Sequence, residues 1–398
     1  MIPLQGEGEL KRSINLIAHL DPRFGGMSTS VPSLAYATVA TLRYSALVLA
    51  FCTANEAWRL PKASHLQVIR FPFDNHRPLD DILTRLRLRP IVDNFDVVHI
   101  HGIWRAYCAA AGQICRSQHK PFVVSAHGML DGWALGNKQW KKTLYSAVIE
   151  RPNLQSAACL RALTRAEAEN YRSFGLTNPI AVIPNGVNPP EELSPNRFSE
   201  QYPELQGRRL ILFLSRIHYK KGIDLLCRAW ASICAQFPDA HLVLAGPDFE
   251  NTLEKTRDLV SSLGVQGRVT FTGMLAGPDK WAALAAASVF VLPSWSEGFS
   301  MATLEAMAAS CPVIITHQCY FPEVLENECG WLIQPDVQEL ETALGEALSM
   351  PQPELDRLGE NGRRLVATRY TWSRIGEQMI QVYDWVLGGP KPSIVEVL

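Results

Sequence analysis

The sequence predicts an α/β protein made of two successive doubly wound units. Short apolar, β-branched runs alternate with helical patterns along the chain, as parallel sheets require. At 398 residues the chain is long for one core and comfortable for two domains. The alternation breaks once, at Pro184-Asn185-Gly186-Val187-Asn188-Pro189-Pro190-Glu191-Glu192-Leu193-Ser194-Pro195, which is turn-rich and without apolar periodicity. A first domain over 1–187, a second over 188–370 and a terminal helical segment over 371–398 follow.

In the first half the strands are expected at 14–19, 46–52, 68–71, 97–101, 122–126, 158–163 and 180–183. Helical patterns fit between them at 28–41, 78–87, 107–117, 138–149 and 165–174. The second series opens on Arg209-Leu210-Ile211-Leu212-Phe213-Leu214 and continues with strands at 241–245, 268–271, 289–292 and 312–316. Ligands of such sheets bind beyond the carboxyl ends of the strands, so the residues that follow each strand are the candidates for function.

Composition narrows the class. Hydrophobic content of 47% and charged content of 19% are those of a globular chain, not a disordered one. The nine cysteines are odd in number and contain no Cys-x-x-Cys, so they read as buried thiols of a reducing compartment. The N-terminus lacks a signal-peptide core, and no apolar run approaches the roughly 18 residues of a membrane span. A cytoplasmic protein is expected, with the inner face of the cell membrane as a peripheral location. Residues 1–190 carry 21 Lys and Arg against 13 Asp and Glu, a net +8, and the remainder carries −9. A basic first half suits an anionic partner such as a membrane surface, a lipid phosphate or an acidic saccharide. The cationic, partly apolar stretches 85–89 and 138–145 are where a membrane contact would fall, against the plainer reading of amphipathic packing helices. No nucleic-acid partner is expected.

The most informative stretch is Pro293-Ser294-Trp295-Ser296-Glu297-Gly298-Phe299-Ser300-Met301-Ala302-Thr303-Leu304-Glu305-Ala306-Met307-Ala308-Ala309. It reads as a turn after the strand 289–292, then a helix with Ser300 as its N-cap. The helix start offers free amides and a partial positive charge, a ready anion site. Glu305 lies roughly 7 Å down the axis at 1.5 Å per residue, among apolar neighbours where a carboxylate needs a partner. An anionic centre at the helix start with a hydroxylated ring alongside describes a nucleotide-sugar. Loop glutamates such as Glu297 are more often merely solvated.

Other strand ends add candidates. Gly25-Gly26 permits close backbone approach before a helix. Arg216, with Lys220, Lys221 and Gly222, follows the strand 209–214 and combines a planar fork of donors with point charges, suited to a diphosphate. His127-Gly128 follows the strand 122–126. His99 and His101 share one strand face, as metal ligands would, but no acidic or thiol partner completes a set. His101 and Trp104 are the weaker candidates for an acceptor cleft. No Asp-x-Asp motif is present, so no metal is expected.

The fixed points Glu297, Gly298 and Phe299, then Glu305, Ala306, Met307 and Ala308, then Pro312, Val313 and Ile314 form a pattern. It resembles the signature of retaining glycosyltransferases of family 4, which adopt the GT-B fold of two Rossmann-like domains facing a central cleft. Matching segments run in the family's order from Gly25 to Trp372. Ser300 and Ser310 stand where glycine is common.

The resemblance implies roles. Arg216 and Lys221 would neutralise the donor diphosphate, Glu297 would contact the donor sugar, and Glu305 would bind the ribose hydroxyls. Gly26, Gly298, Phe299 and Ser300 would line the diphosphate. Met274 and Leu275 mark the corner whose backbone meets the nucleobase. His127 would lie near the reacting sugar. The terminal helix would cross back to the first domain. The implied activity is retaining transfer from a UDP- or GDP-sugar to a saccharide, lipid-linked or small-molecule acceptor, in bacterial cell-surface polysaccharide or glycolipid synthesis. A same-fold epimerase, an inverting transferase and a non-catalytic nucleotide-binding subunit remain as rivals. A nucleotide-dependent oxidoreductase is disfavoured by the missing Gly-x-Gly-x-x-Gly.

Overall fold

The computed structural model describes residues 10–21, 25–52, 63–71, 80–131 and 149–397. Its strands, in chain order, are β1 Lys11–Ile17, β2 Tyr44–Phe51, β3 Leu66–Phe71, β4 Val97–His101, β5 Phe122–Ser125, β6 Cys159–Ala162, β7 Ile180–Val182, β8 Arg209–Leu214, β9 Ala240–Ala245, β10 Val269–Gly273, β11 Val289–Leu292, β12 Val313–Thr316, β13 Gly330–Ile333 and β14 Val395–Glu396. The chain divides into two compact units. One comprises residues 1–186 with 372–398, the other residues 187–371.

The first unit holds a sheet in the order β14-β7-β6-β5-β4-β1-β2-β3. All of its pairings are parallel except β14 against β7. The period of two divides each strand between two cores. Ile14 and Leu16 of β1, with Leu47 and Leu49 of β2, join one cluster, while Ile17, Val48 and Ala50 join another. Because both faces are covered there, β2, β4 and β5 are buried along their whole length.

The helix Trp372–Val386 belongs to this unit. Gly376 lies so close to the helix Met27–Val39 that a Cβ there would stand 2.6 Å from the Ala37 carbonyl oxygen. Asp384 accepts from Lys11 Nζ at 2.6 Å, from the Tyr44 hydroxyl at 3.0 Å and from Arg43.

The second unit holds a wholly parallel sheet, β10-β9-β8-β11-β12-β13. Each sheet therefore has one point where strand order reverses, β1 beside β4 in the first and β8 beside β11 in the second. Ligands of open α/β sheets sit outside the carboxyl ends of the strands at such a point.

The expected strands are found, with two additions. β14, at two residues, is too short to register as an apolar run, and β13 opens on Gly330 and Trp331 and carries only Leu332 and Ile333 as aliphatic residues. The helix expected at 78–87 runs Asp80–Val92, continuing through Pro90. The helix expected at 138–149 and the cationic stretch 138–145 lie outside the described residues up to residue 148. Among the described residues, all nine cysteines are free and buried, and no helix is long and apolar enough to cross a membrane.

Candidate active site

In the second unit, β8 and β11 end side by side, and their two following loops are stitched together. The Trp295 amide donates to the Lys220 carbonyl at 2.9 Å. Gly222 makes this approach possible: its φ is +65°, and a Cβ there would stand 1.9 Å from the Pro293 carbonyl oxygen. A third loop, after β12, closes the corner. Thr316 Oγ1 donates to the Ser294 carbonyl at 2.6 Å, and the Glu297 amide donates to the Gln318 carbonyl at 3.0 Å.

This corner brings Lys221 and Glu297 together. Lys221 Nζ donates to Glu297 Oε1 at 2.5 Å, and Ser294 Oγ donates to the same oxygen at 2.8 Å. Both charged side chains are buried, with about a tenth of each accessible. Burial by itself would raise the Glu297 carboxyl, but the Lys221 charge and the two hydrogen bonds hold it below the usual carboxylate range. Arg216 lies half-buried with its guanidinium 4.5 Å from the centre of the Phe249 ring. Burial lowers its affinity for a proton, while Glu297 and Glu250 favour its charge.

Ser300 caps the helix Met301–Ala308 as its sequence position suggests. Its backbone is extended, and Oγ accepts from the Thr303 amide at 3.2 Å. Ser310, where glycine is common, adopts φ +58° just past the helix. In the second turn of the helix, Glu305 Oε1 accepts from Lys280 Nζ at 2.6 Å. Lys280 sits on the helix Gly277–Ala286, directly after the β10 corner that carries Met274 and Leu275. Met274 is exposed and Leu275 is half-buried against the core. Gly298 continues the loop, and the Phe299 ring packs near Phe321 and Tyr370.

In the first unit, Gly25 has φ +116° and Gly26 is the N-cap of the helix Met27–Val39. His99 and His101 stack at 3.9 Å on one face of β4, both fully buried. His99 bonds Tyr383 and Ser125, each at 2.8 Å. His101 bonds Asn15 Oδ1 and His127 Nε2, each at 3.1 Å. His101 thus lies beneath His127, the half-buried member of the set. Burial, with the Arg161 charge adding to it, pulls His127 down to about 3. Trp104, at φ +65°, donates from its amide to Glu150 Oε2 at 3.2 Å and from its indole to the Met129 carbonyl at 3.4 Å. Burial pushes Glu150 up to about 7. Among the described residues no group of three or more His, Cys, Asp or Glu is placed to hold a metal.

The structure thus gathers Lys221, Glu297 and Ser294 in one corner, and Glu305 with Lys280 along the adjoining helix. Sequence reasoning had no signal for Lys280 as Glu305's partner, 25 residues away. It also passed over Glu167, although Thr164-x-x-Glu167 has capping-box spacing.

The fold is the two-sheet α/β architecture of the GT-B glycosyltransferases, and these charged strand ends lie where such sheets take their ligands. Comparison with known proteins agrees. The family model "Glycosyl transferase 4-like domain" matches residues 25–186, and "Glycosyl transferases group 1" matches 196–365. The chain belongs to the group 1 glycosyltransferases, family 4. An uncharacterized glycosyltransferase of Methanocaldococcus jannaschii is 29% identical over 73% of this chain and 76% of its own length. The GDP-mannose-dependent alpha-(1-6)-phosphatidylinositol monomannoside mannosyltransferase of Mycolicibacterium smegmatis is 25% identical over 91% and 95%. Among solved structures, HepE of Anabaena in complex with UDP and glucose superposes with a TM-score of 0.76 at 19% identity, covering 94% of this chain and 100% of that one.

Proposed function

We propose that this enzyme moves a hexosyl group from a nucleotide-diphosphate sugar to an acceptor hydroxyl with retention of anomeric configuration. The observation that carries the reading is a repeated arrangement at the β8/β11 switch point. Glu297 and Glu305 are each held through one carboxylate oxygen by a lysine, and Oε2 of each has no hydrogen-bond partner among the described residues. Two anchored carboxylates with a free oxygen suit a polyhydroxylated ligand: Glu297 the sugar, Glu305 the ribose.

Arg216, Lys221 and the amides around Ser300 supply positive charge where a diphosphate would leave, work that a metal ion does elsewhere. Gly298, Phe299 and Gly26 contribute backbone approach, and Met274 and Leu275 the nucleobase corner. His127 contacts the sugar or the departing group, while His101 and Trp104 belong to the acceptor side. Turnover in EDTA equal to that in magnesium supports the metal-free reading.

The acceptor proposed is a glycolipid or lipid-linked saccharide of a bacterial cell surface. The basic first half supports it, as does the mycobacterial relative whose name specifies a phosphatidylinositol mannoside. Cosedimentation with anionic vesicles tests peripheral membrane contact. A panel of UDP- and GDP-sugars read by nucleotide release, followed by NMR of the product's anomeric proton, tests the reaction. An inverted product overturns retention. No release from any donor, with nucleotide still bound, favours a non-catalytic subunit.

A further inference from the structure

His127 and Gly128 stand at φ +55° and +75°. Two consecutive left-handed residues are an unusual path for a chain leaving a strand, and at a histidine the conformation costs about 1–2 kcal/mol. It persists only where the surroundings hold it. The holding groups are on one helix, Arg165–Ser173, at positions one turn apart. Tyr171 Oη accepts from the Ala126 amide at 3.0 Å and donates to the Arg161 carbonyl at 2.9 Å. Glu167 Oε1 accepts from the Gly128 amide at 2.6 Å, and Oε2 from the Leu163 amide at 2.7 Å. The amides on both sides of His127 are thus gripped by residues i and i+4 of a single helix face.

The helix is itself fixed. Thr164 Oγ1 accepts from the Glu167 amide at 3.1 Å, so the capping residue and the clamping residue are locked to each other. Glu167 and Tyr171 are both buried. Glu167 Oε1 and Oε2 are both occupied by backbone amides, which ties its carboxylate to holding the chain. From the other side, His101 Nδ1 meets His127 Nε2, and the remaining ring nitrogen, Nδ1, has no partner among the described residues.

We infer that Glu167 and Tyr171 are positioning residues for the transfer reaction, clamping the amides of Gly128 and Ala126 so that His127 presents Nδ1 to the substrate. This rests on the reading of His127 as a residue that contacts the reacting sugar.

The test is a double-mutant cycle with the full chain, using the donor identified in the nucleotide-release panel. Glu167→Gln offers one acceptor oxygen and one amide group that meets a backbone N–H, so one of the two bonds is lost. Loss of a hydrogen bond to a charged group corresponds to a fall of about 10- to 100-fold. The expected result is a drop of that size in kcat with donor KM within about twofold. Tyr171→Phe, which keeps the ring, is expected to lose about 2- to 10-fold and serves if Glu167→Gln does not fold. In a His127→Ala background neither substitution is expected to lower kcat further, because the group they position is gone. Full additivity in that background, or unchanged kcat in both single variants, overturns the inference. Amide hydrogen exchange separates its two parts. Faster exchange at Gly128 in Glu167→Gln and at Ala126 in Tyr171→Phe demonstrates the clamp independently of turnover. If His127→Ala alone keeps wild-type kcat, the reading of His127 fails and the positioning role with it, while the exchange data still report the clamp.

Discussion

Lys221 Nζ and Glu297 Oε1 lie 2.5 Å apart in a corner that Ser294 also reaches, with both charges buried. A buried ion pair is costly to assemble and costlier to break, because removing one partner strands the other in a medium that solvates it poorly. Lys221→Met is therefore expected to destabilise the second unit by about 3–5 kcal/mol and to lower turnover by two to three orders of magnitude, in the range of about 10²–10³ for loss of one electrostatic group. The double variant Lys221→Met/Glu297→Gln is expected to recover most of the melting temperature and none of the activity. Calorimetry and single-turnover kinetics on the four proteins separate the two effects. Recovery of turnover in the double variant would refute the catalytic assignment.

The same pair sets a pH dependence. Glu297 titrates below the usual carboxylate range in the folded protein, since the Lys221 charge and hydrogen bonds outweigh burial. A carboxyl whose folded pKa is depressed contributes stability above its unfolded pKa, and that contribution is lost as pH falls through the folded value. The wild-type melting temperature is thus expected to exceed that of Glu297→Gln at neutral pH. The gap closes only below the ordinary carboxylate range. A gap that is constant from neutral to acid pH would show that ionisation of Glu297 is not what stabilises the corner.

Much of this was legible in the sequence, for identifiable reasons. β8 and β11 are apolar on both faces, so they stand out without periodicity. Ser300 announced its helix because an N-cap needs a short side chain with an acceptor oxygen. Glu305 was conspicuous because the residues around it are apolar. What the sequence did not yield is pairing across the fold. Lys280 is one lysine on an ordinary amphipathic helix until β10 brings it beside Glu305. Glu167 has the spacing of a capping glutamate, yet in the fold its carboxylate reaches the Gly128 amide 39 residues away and the Leu163 amide, not the cap residue's own. β14, two residues long, exists only because the β7 edge is there to pair with it.

Glu305 and Lys280 form a pair of another kind. It is partly accessible, at 15% and 23% of the two side chains, so its contribution to stability is about 0–1 kcal/mol. Its expected effect is on donor binding. Glu305→Ala should weaken donor affinity by about 10- to 100-fold through loss of the proposed ribose contact. Lys280→Ala should weaken it less, since it frees the carboxylate without removing it. Titration calorimetry with UDP and GDP measures both. Unchanged nucleotide affinity in Glu305→Ala would remove it from the donor site.

Gly222 tests whether the two loops must touch. At φ +65° an alanine incurs about 1–2 kcal/mol for the left-handed conformation alone, and its Cβ would fall 1.9 Å from the Pro293 carbonyl oxygen. Relief requires the 216–222 loop to withdraw from the 293–297 loop. That movement carries Lys221, the preceding residue, away from Glu297, and it breaks the bond from the Trp295 amide to the Lys220 carbonyl. Gly222→Ala is therefore expected to lower both the melting temperature and kcat, the latter by an amount approaching that of Lys221→Met. A substitution at Gly264, which also has positive φ but no atom within 4 Å of an added Cβ, carries the backbone strain without the displacement. Gly264→Ala should lose about 1–2 kcal/mol of stability and keep its turnover. Equal losses of activity in the two variants would mean that loop contact at Gly222 does not position Lys221.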